Sequence, residues 1–276
     1  MMEKIVGYLG PRGTFSEEVA MAYGRGKNVL LRPHSSIEQV VQAVVKGQIN
    51  MGIAPVENSL EGSVNLTLDL LSGNHGIKIC GERLHRVKHS LLAPPGQDLK
   101  AMEEIYSHPQ ALAQCRSFIE ARLPEVSCRE MASTSEAARQ VAGQKGQAVI
   151  ASKKVAGLYG LRVLQENIQD EENNVTRFLL LAQTDAQPTG RDKTSLLLGL
   201  RDRPGSLYAL LAIFARHQLN LTKIESRPIR GEMGKYKFFM DLEGHRVNEG
   251  VDAALEEIEK EALFLHVLGS YPCAAL

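Results

Sequence analysis

The sequence predicts an α/β protein with a smaller second domain at its C-terminal end. Up to residue 183, short apolar runs such as 5–9, 49–54 and 149–151 alternate with stretches in which apolar residues recur every three or four positions. Strands that alternate with amphipathic helices give this pattern. The rhythm then changes to βαββαβ, with elements expected at 194–200, 204–218, 221–229, 236–242, 251–262 and 263–269. That order is the ferredoxin-like split unit.

Composition narrows the class of protein. The 276 residues are 43% hydrophobic and carry 32 basic and 32 acidic side chains, so no net field favours nucleic acid or an anionic membrane. The apolar run 5–9 is too short for a signal sequence or a spanning helix, and we expect a cytoplasmic protein. Neither a metal cluster nor a disulfide framework is expected, because four cysteines are scattered without paired spacing: Cys80, Cys115, Cys128 and Cys273.

Polar residues begin several of the predicted helices directly after a strand. Thr14, with Glu17 three residues later, fits a capping box. In the 107–115 segment Pro109 suits a first helical turn, with Ser107 or His108 as its cap. The amides of such helix starts can face an anion, although well-capped turns that bind nothing share the pattern. Further polar starts lie at 35–38 and 133–136.

The loop 55–64 follows the predicted strand 49–54. Glu57, Asn58 and Ser59 therefore lie at the carboxyl end of a strand, which is the usual ligand edge of an open α/β sheet. A polar turn with an Asn cap would fit the same residues.

The segment 173–178, NNVTRF, precedes the apolar run 179–182. Thr176 and Arg177 are thus predicted at the rim of a buried strand, where side chains can meet a ligand while the strand holds them. The alternative is an ordinary loop, with Thr176 chosen for β propensity and Arg177 solvated.

Five motifs occur in the order seen in prephenate dehydratases. They are GPRGTFS, PVENSLEG, SHPQALAQC, the Ser133/Thr134 pair and NNVTRF. Residues 5–183 therefore resemble that family. The resemblance implies a two-lobed fold like type II periplasmic binding proteins, with lobe 1 at about 1–81 and 161–183 and lobe 2 at about 82–160. It also implies that prephenate loses water and CO2 to give phenylpyruvate, with no metal or organic cofactor.

The resemblance also implies roles for individual residues. Thr176 would hydrogen-bond the leaving hydroxyl, with a proton relayed from water or from Glu57. Arg177 would bind a substrate carboxylate with two hydrogen bonds or support the site from behind. Phe178 would pack against the substrate ring. The positioning residues would be Asn58, Ser59, Thr14, Phe15, Ser16, Gln110, Ser133 and Thr134.

After a polar linker at 184–192, residues 193–276 resemble an ACT regulatory domain. The segments GSLY (205–208) and NLTKIESRP (220–228) resemble a phenylalanine site, with Ser206 where the family motif has Ala. The resemblance implies feedback inhibition by phenylalanine, and the open edges of such a sheet favour a homodimer or homotetramer. The expected effector residues are Gly205, Ser206, Leu207, Asn220, Leu221, Glu225, Ser226, Arg227 and Pro228.

Two alternatives stay open at this point. One is arogenate dehydratase, whose substrate carries an amino group where prephenate has a keto oxygen. The other is a non-catalytic sensor of amino or keto acids built on the same clamp.

Overall fold

The computed structural model describes residues 3–74, 76–229 and 232–275. Its first sheet has the order β2-β1-β3-β11-β5, with β4 paired to β3. The strands are β1 (Lys4–Leu9), β2 (Val29–His34), β3 (Met51–Asn58), β4 (Gly62–Ser63), β5 (Lys78–Arg86) and β11 (Val175–Ala182). The helices of this lobe are α1 (Phe15–Gly24), α2 (Ile37–Val45) and α3 (Asn65–Gly73).

A second sheet forms the other lobe, in the order β10-β6-β9-β7-β8. Its strands are β6 (Ser90–Ala93), β7 (Glu104–Ser107), β8 (Ser127–Glu130), β9 (Gln147–Ala151) and β10 (Arg162–Gln165). Its helices are α4 (Pro109–Ala113), α5 (Arg116–Arg122), α6 (Thr134–Val141) and α7 (Lys154–Tyr159), with a 3₁₀ turn at Leu99–Ala101. The predicted two-lobed α/β architecture is confirmed.

The chain crosses between the lobes later than the sequence suggested. β5 stays in the first sheet as far as Arg86, which pairs with Val175 of β11. β10 stays in the second sheet as far as Gln165. The crossings therefore lie at 87–89 and 166–174 rather than near 82 and 161, because the length of β5 is set by its pairing with a strand about ninety residues later in the chain.

The C-terminal domain has the predicted βαββαβ order. Its antiparallel sheet runs β13-β14-β12-β15. The elements are β12 (Asp192–Gly199), α8 (Ser206–Arg216), β13 (Leu221–Ile229), β14 (Glu232–Glu243), α9 (Glu249–Glu261) and β15 (Phe264–Pro272). No helix in the described ranges is long and apolar enough to cross a membrane.

Both faces of the C-terminal sheet are covered. Leu210, Phe214 and Ile258 of the two helices pack on one face. The other face shares a buried cluster with the first lobe, and β15 lies so close to β5 that a Cβ at Gly269 would sit 2.1 Å from the carbonyl oxygen of Ile79. The C-terminal domain and the first lobe therefore share one hydrophobic core. Apolar burial is the main stabilising term in folding, so this shared core holds the two units together.

Candidate active site

A cavity of about 260 Å³ lies between the two lobes. Thr176 and Phe178 of β11 line it together with Asn58 at the end of β3. Nine of the twelve residues predicted to be catalytic or substrate-binding line this one space: Thr14, Phe15, Ser16, Asn58, Gln110, Ser133, Thr134, Thr176 and Phe178.

Three helices begin at the wall of the cavity. Thr14 caps α1 by accepting the Glu17 amide, and Ser133 caps α6 by accepting the Glu136 amide. His108, one of the two predicted caps, accepts the Gln110 amide through Nδ1. Because the first-turn amides of a helix have no partner within the helix, these starts direct N–H groups and positive dipole ends towards the cavity.

The predicted capping box at Thr14 closes on one side only. The carboxylate of Glu17 accepts hydrogen bonds from the Tyr8 hydroxyl (2.7 Å) and the Gly13 amide (2.6 Å). It therefore braces the turn before α1, since a capping box would require it to accept the Thr14 amide.

The Thr176 hydroxyl is held by Asn58. Asn58 Oδ1 accepts the amides of Leu60 (3.0 Å) and Glu61 (3.1 Å), which fixes the orientation of its amide group. Its Nδ2 therefore donates to Thr176 Oγ1 (2.9 Å) and to Asn174 Oδ1 (2.7 Å). Because Thr176 Oγ1 accepts this bond, its own hydrogen is free to be donated to a ligand.

The chain of side-chain hydrogen bonds that starts at Asn58 continues to the buried His89. Asn174 Nδ2 donates to Gln114 Oε1 (2.9 Å), and His89 Nε2 lies 3.1 Å from the same oxygen. Since that oxygen only accepts, His89 carries its proton on Nε2. Burial lowers the pKa of His89 below its ordinary value of 6.5, and its Nδ1 has no partner among the described residues. His89 is therefore neutral at pH 7.

Aromatic rings form the apolar part of the wall. Phe15 packs on His89 at 5.7 Å between ring centroids in an edge-on arrangement. Phe178 is 2% exposed, and His85 packs on it at 6.4 Å. The cavity lining thus combines aromatic rings with amides and hydroxyls.

Polar contacts also close the two lobes over the cavity. Glu18 of α1 accepts a hydrogen bond from Ser152 and lies 3.0 Å from Lys154 Nζ. Ser135 Oγ donates to the Arg12 carbonyl. These contacts join α1 and its preceding turn to the second lobe.

Three predicted site residues lie outside the cavity. The Arg177 guanidinium points to the opposite face of the sheet, where it binds Glu82, Asp241 and Tyr271. Glu57 lies on that face too, 3.6 Å from Arg177 and 3.4 Å from Lys223. The geometry therefore supports neither a carboxylate clamp at Arg177 nor a proton relay through Glu57.

The third of these residues, Ser59, joins two loops. Its Oγ accepts the Val175 amide (3.0 Å) and donates to the Asn173 carbonyl (3.1 Å). It thus holds the segment that enters β11, without lining the cavity.

Two family models match the chain. Residues 6–186 match the prephenate dehydratase model, and residues 194–260 match the ACT domain model. The chain belongs to the prephenate dehydratase family.

Relatives of the family agree with this placement. The bifunctional chorismate mutase/prephenate dehydratase of Aquifex aeolicus is 43% identical over 98% of this chain and 74% of its own length. A crystal structure of the Arthrobacter aurescens prephenate dehydratase in complex with L-Phe is 33% identical, with a TM-score of 0.91 over 98% of this chain and 90% of that one. A structure described as GqqA, a quorum-quenching acylase, is 32% identical, with a TM-score of 0.88 over 98% of both chains.

The sequence assigned no role to three polar residues that line this prephenate dehydratase cavity, Gln114, Asn174 and His89. Gln114 follows Gln110 by four residues, and this one-turn spacing could have indicated a shared surface, as the cavity lining shows. Asn174 precedes the Thr176 motif by two residues. His89 gave no local signal, since its place depends on how the lobes meet.

The ACT domain carries a groove of about 160 Å³ at the start of α8. Predicted residues Ser206 and Leu207 line it, and the Ser206 hydroxyl is buried without a partner among the described residues. The predicted residues of β13 do not line this groove. Glu225 contacts Ser63 and Arg227 contacts Asp69, both in the first lobe.

The hydrogen bond between His89 and the Gln114 side-chain oxygen predicts which ring nitrogen of His89 carries the proton. We expect ¹⁵N-histidine NMR of the whole chain to show a neutral ring with its proton on Nε2, and to show it staying neutral below pH 6.5, because burial opposes the charge. His89→Gln identifies the signal by removing it. A ring that carries its proton on Nδ1, or is charged at pH 7, would contradict the assignment.

Proposed function

We propose that this chain is an enzyme that converts prephenate to phenylpyruvate with loss of water and CO2. The observation that carries the proposal is the Thr176 hydroxyl, oriented by Asn58 within a cavity that both lobes enclose, in a member of the prephenate dehydratase family. Aromatisation of the ring supplies the driving force, so the protein has to bind a dianion, assist one leaving group and let charge leave one carboxylate.

Thr176 assists departure of the C4 hydroxyl. Its oxygen accepts from Asn58 at 2.9 Å, so its hydrogen is available to the ligand. A donor fixed in advance at the position where negative charge develops lowers the barrier without reorganisation. A threonine hydroxyl is a weak acid, and the proton that completes water is supplied by solvent, since Glu57 lies on the opposite face of the sheet.

The carboxylates are bound by dipoles rather than by a cation. In the described part of the chain, the cavity lining contains no Lys, Arg, Asp or Glu. Helix starts and amides bind the substrate carboxylates. A guanidinium would stabilise the ring carboxylate more in the ground state than in the transition state, because this carboxylate loses its charge as CO2 leaves. Weaker binding of the ring carboxylate therefore favours a faster reaction.

The uncharged lining also favours prephenate over arogenate as the substrate. Arogenate carries an ammonium group, and no carboxylate among the described lining residues would pair with it. Prephenate has a keto oxygen there, which amide donors such as Gln110 can bind.

The described residues do not favour acylase chemistry. No hydrogen bond among them joins a cavity hydroxyl to a histidine, and acyl transfer by serine or threonine needs such an activating base. A passive sensor need not keep the run Thr176, Arg177 and Phe178.

We also propose that phenylalanine regulates the enzyme through the ACT domain. The Arthrobacter relative was solved with L-Phe, and the groove at α8 combines the apolar Leu207 with helix-start amides and the free Ser206 hydroxyl. Beside it Tyr208 is 78% exposed and Tyr236 is 49% exposed. Such exposed aromatics favour an interface, and we place a homodimer or homotetramer contact here. A cytoplasmic location stays part of this proposal.

Substitution of Thr176 tests the catalytic assignment. Thr176→Val keeps the shape and removes the hydroxyl, so turnover of prephenate should fall about 100-fold to 1,000-fold, whereas Thr176→Ser should keep substantial activity. Phenylpyruvate formation is followed by ultraviolet absorbance, with arogenate as the comparison substrate. A folded Thr176→Val variant with normal turnover would remove the assignment.

Substitution in the groove tests regulation. Leu207→Asp should abolish inhibition by phenylalanine and leave turnover intact, because a bound apolar ring would remove water from the new carboxylate. Val247→Asp is the control, since Val247 is also exposed and belongs to the same domain. Equilibrium dialysis with labelled phenylalanine measures binding directly. Undiminished binding to Leu207→Asp would place the effector elsewhere.

A further inference from the structure

Arg177 is bound by residues of two different structural units. Its Nε donates to Glu82 (2.7 Å) on β5 of the first lobe. Its two terminal nitrogens donate to Asp241 (2.6 Å) and to the Tyr271 hydroxyl (2.9 Å) of the ACT domain. The Arg177 side chain is 11% exposed, so these contacts are largely shielded from water.

Each acceptor around Arg177 is itself fixed. Asp241 accepts the Ser195 hydroxyl at 2.5 Å, and Ser195 also contacts the Tyr271 hydroxyl at 2.6 Å. Glu82 Oε1 accepts Lys193 Nζ and the Ala274 amide, both at 3.0 Å. Acceptors held in this way give a planar guanidinium one orientation.

The cluster is charged and nearly balanced. Burial opposes the charge of Arg177, but the carboxylates of Asp241 and Glu82 outweigh this effect and raise the Arg177 pKa above its ordinary value. Burial raises the pKa of Tyr271, so its phenol stays neutral. Removing one member would leave an uncompensated buried charge, which is strongly unfavourable.

Arg177 lies next to Thr176 in β11, and adjacent strand residues face opposite sides of a sheet. We propose that Arg177 is a positioning residue that holds Thr176 in place by tying β11 to the ACT domain. This role rests on the proposed function, in which Thr176 meets the leaving hydroxyl. It also implies that a shift of the ACT domain reaches Thr176 through one neighbouring side chain.

Polar contacts extend from this cluster to β13, the strand that carries predicted effector residues such as Glu225 and Arg227. Glu57 lies 3.6 Å from Arg177 and 3.4 Å from Lys223 of β13. Lys223 in turn lies 3.0 Å from Glu225 and 2.9 Å from Ser63. Ser63 pairs with Glu57 across β3 and β4, beside Asn58. Movement of β13 would thus reach both partners of the Asn58–Thr176 hydrogen bond.

Hydrogen exchange of the full chain tests positioning without any assay of turnover. Asp241→Asn keeps the shape and removes the charge, so amides of Val175–Ala182 should exchange at least about tenfold faster while those of β9 are unchanged. Tyr271→Phe is the milder second variant, with a smaller effect in the same direction. Glu257→Gln is the matched control, because it removes a carboxylate from an ion pair on α9, with Arg216. Unchanged exchange in β11 for folded Asp241→Asn and Tyr271→Phe would overturn the proposal.

Kinetics then separate positioning from substrate binding. With prephenate, Asp241→Asn and Arg177→Lys should both lower kcat, by up to about 100-fold for a misplacement near 1 Å, with KM within about twofold. If Arg177 clamps the substrate instead, Arg177→Lys should raise KM and Asp241→Asn should have little effect. That result would overturn the proposal that Arg177 is a positioning residue and would leave the proposed function intact. A wild-type chain without turnover would remove the proposed function, while the exchange result would still decide whether the cluster holds β11.

Discussion

β11 lies between β3 and β5, antiparallel to both, and sends alternate side chains to opposite faces of the first sheet. Thr176 and Phe178 therefore enter the cavity, while Arg177 enters the contact with the C-terminal domain. Backbone pairing on both sides leaves the strand little freedom. The position of the Thr176 hydroxyl, the wall formed by Phe178 and the attachment of the ACT domain all depend on this one strand.

Electrostatics divides the two faces. A charged cluster lies on the Arg177 side of β11, where Glu82, Asp241 and Glu57 lie near the guanidinium and pair with Lys193 and Lys223. On the cavity side, the described lining carries hydroxyls, amides and two histidines, and the His89 pKa is lowered by burial. A neutral site with oriented dipoles suits a reaction in which a carboxylate gives up its charge, since those dipoles need not reorganise as the charge leaves.

Much of this could be predicted from local sequence. Helix starts at Thr14 and Ser133 follow from capping preferences, and the βαββαβ order follows from periodicity. The sequence leaves Arg177 either as a carboxylate clamp or as a residue that braces the site, and the alternation of side chains along β11 favours the second of these. His89 depends on contacts made only in the folded chain. The position of the lobe crossings depends on a strand pairing between residues about ninety positions apart.

The central claim is that substrate binds between the lobes against Thr176, while Arg177 acts from the other side of the sheet. A crystal structure of the Thr176→Ala variant with prephenate bound would test it most directly. The account predicts the C4 hydroxyl beside residue 176, the carboxylates at the starts of α1, α4 and α6, and Arg177 still bound to Asp241. An Arg177 guanidinium bound to a substrate carboxylate, or prephenate bound outside this cavity, would contradict it.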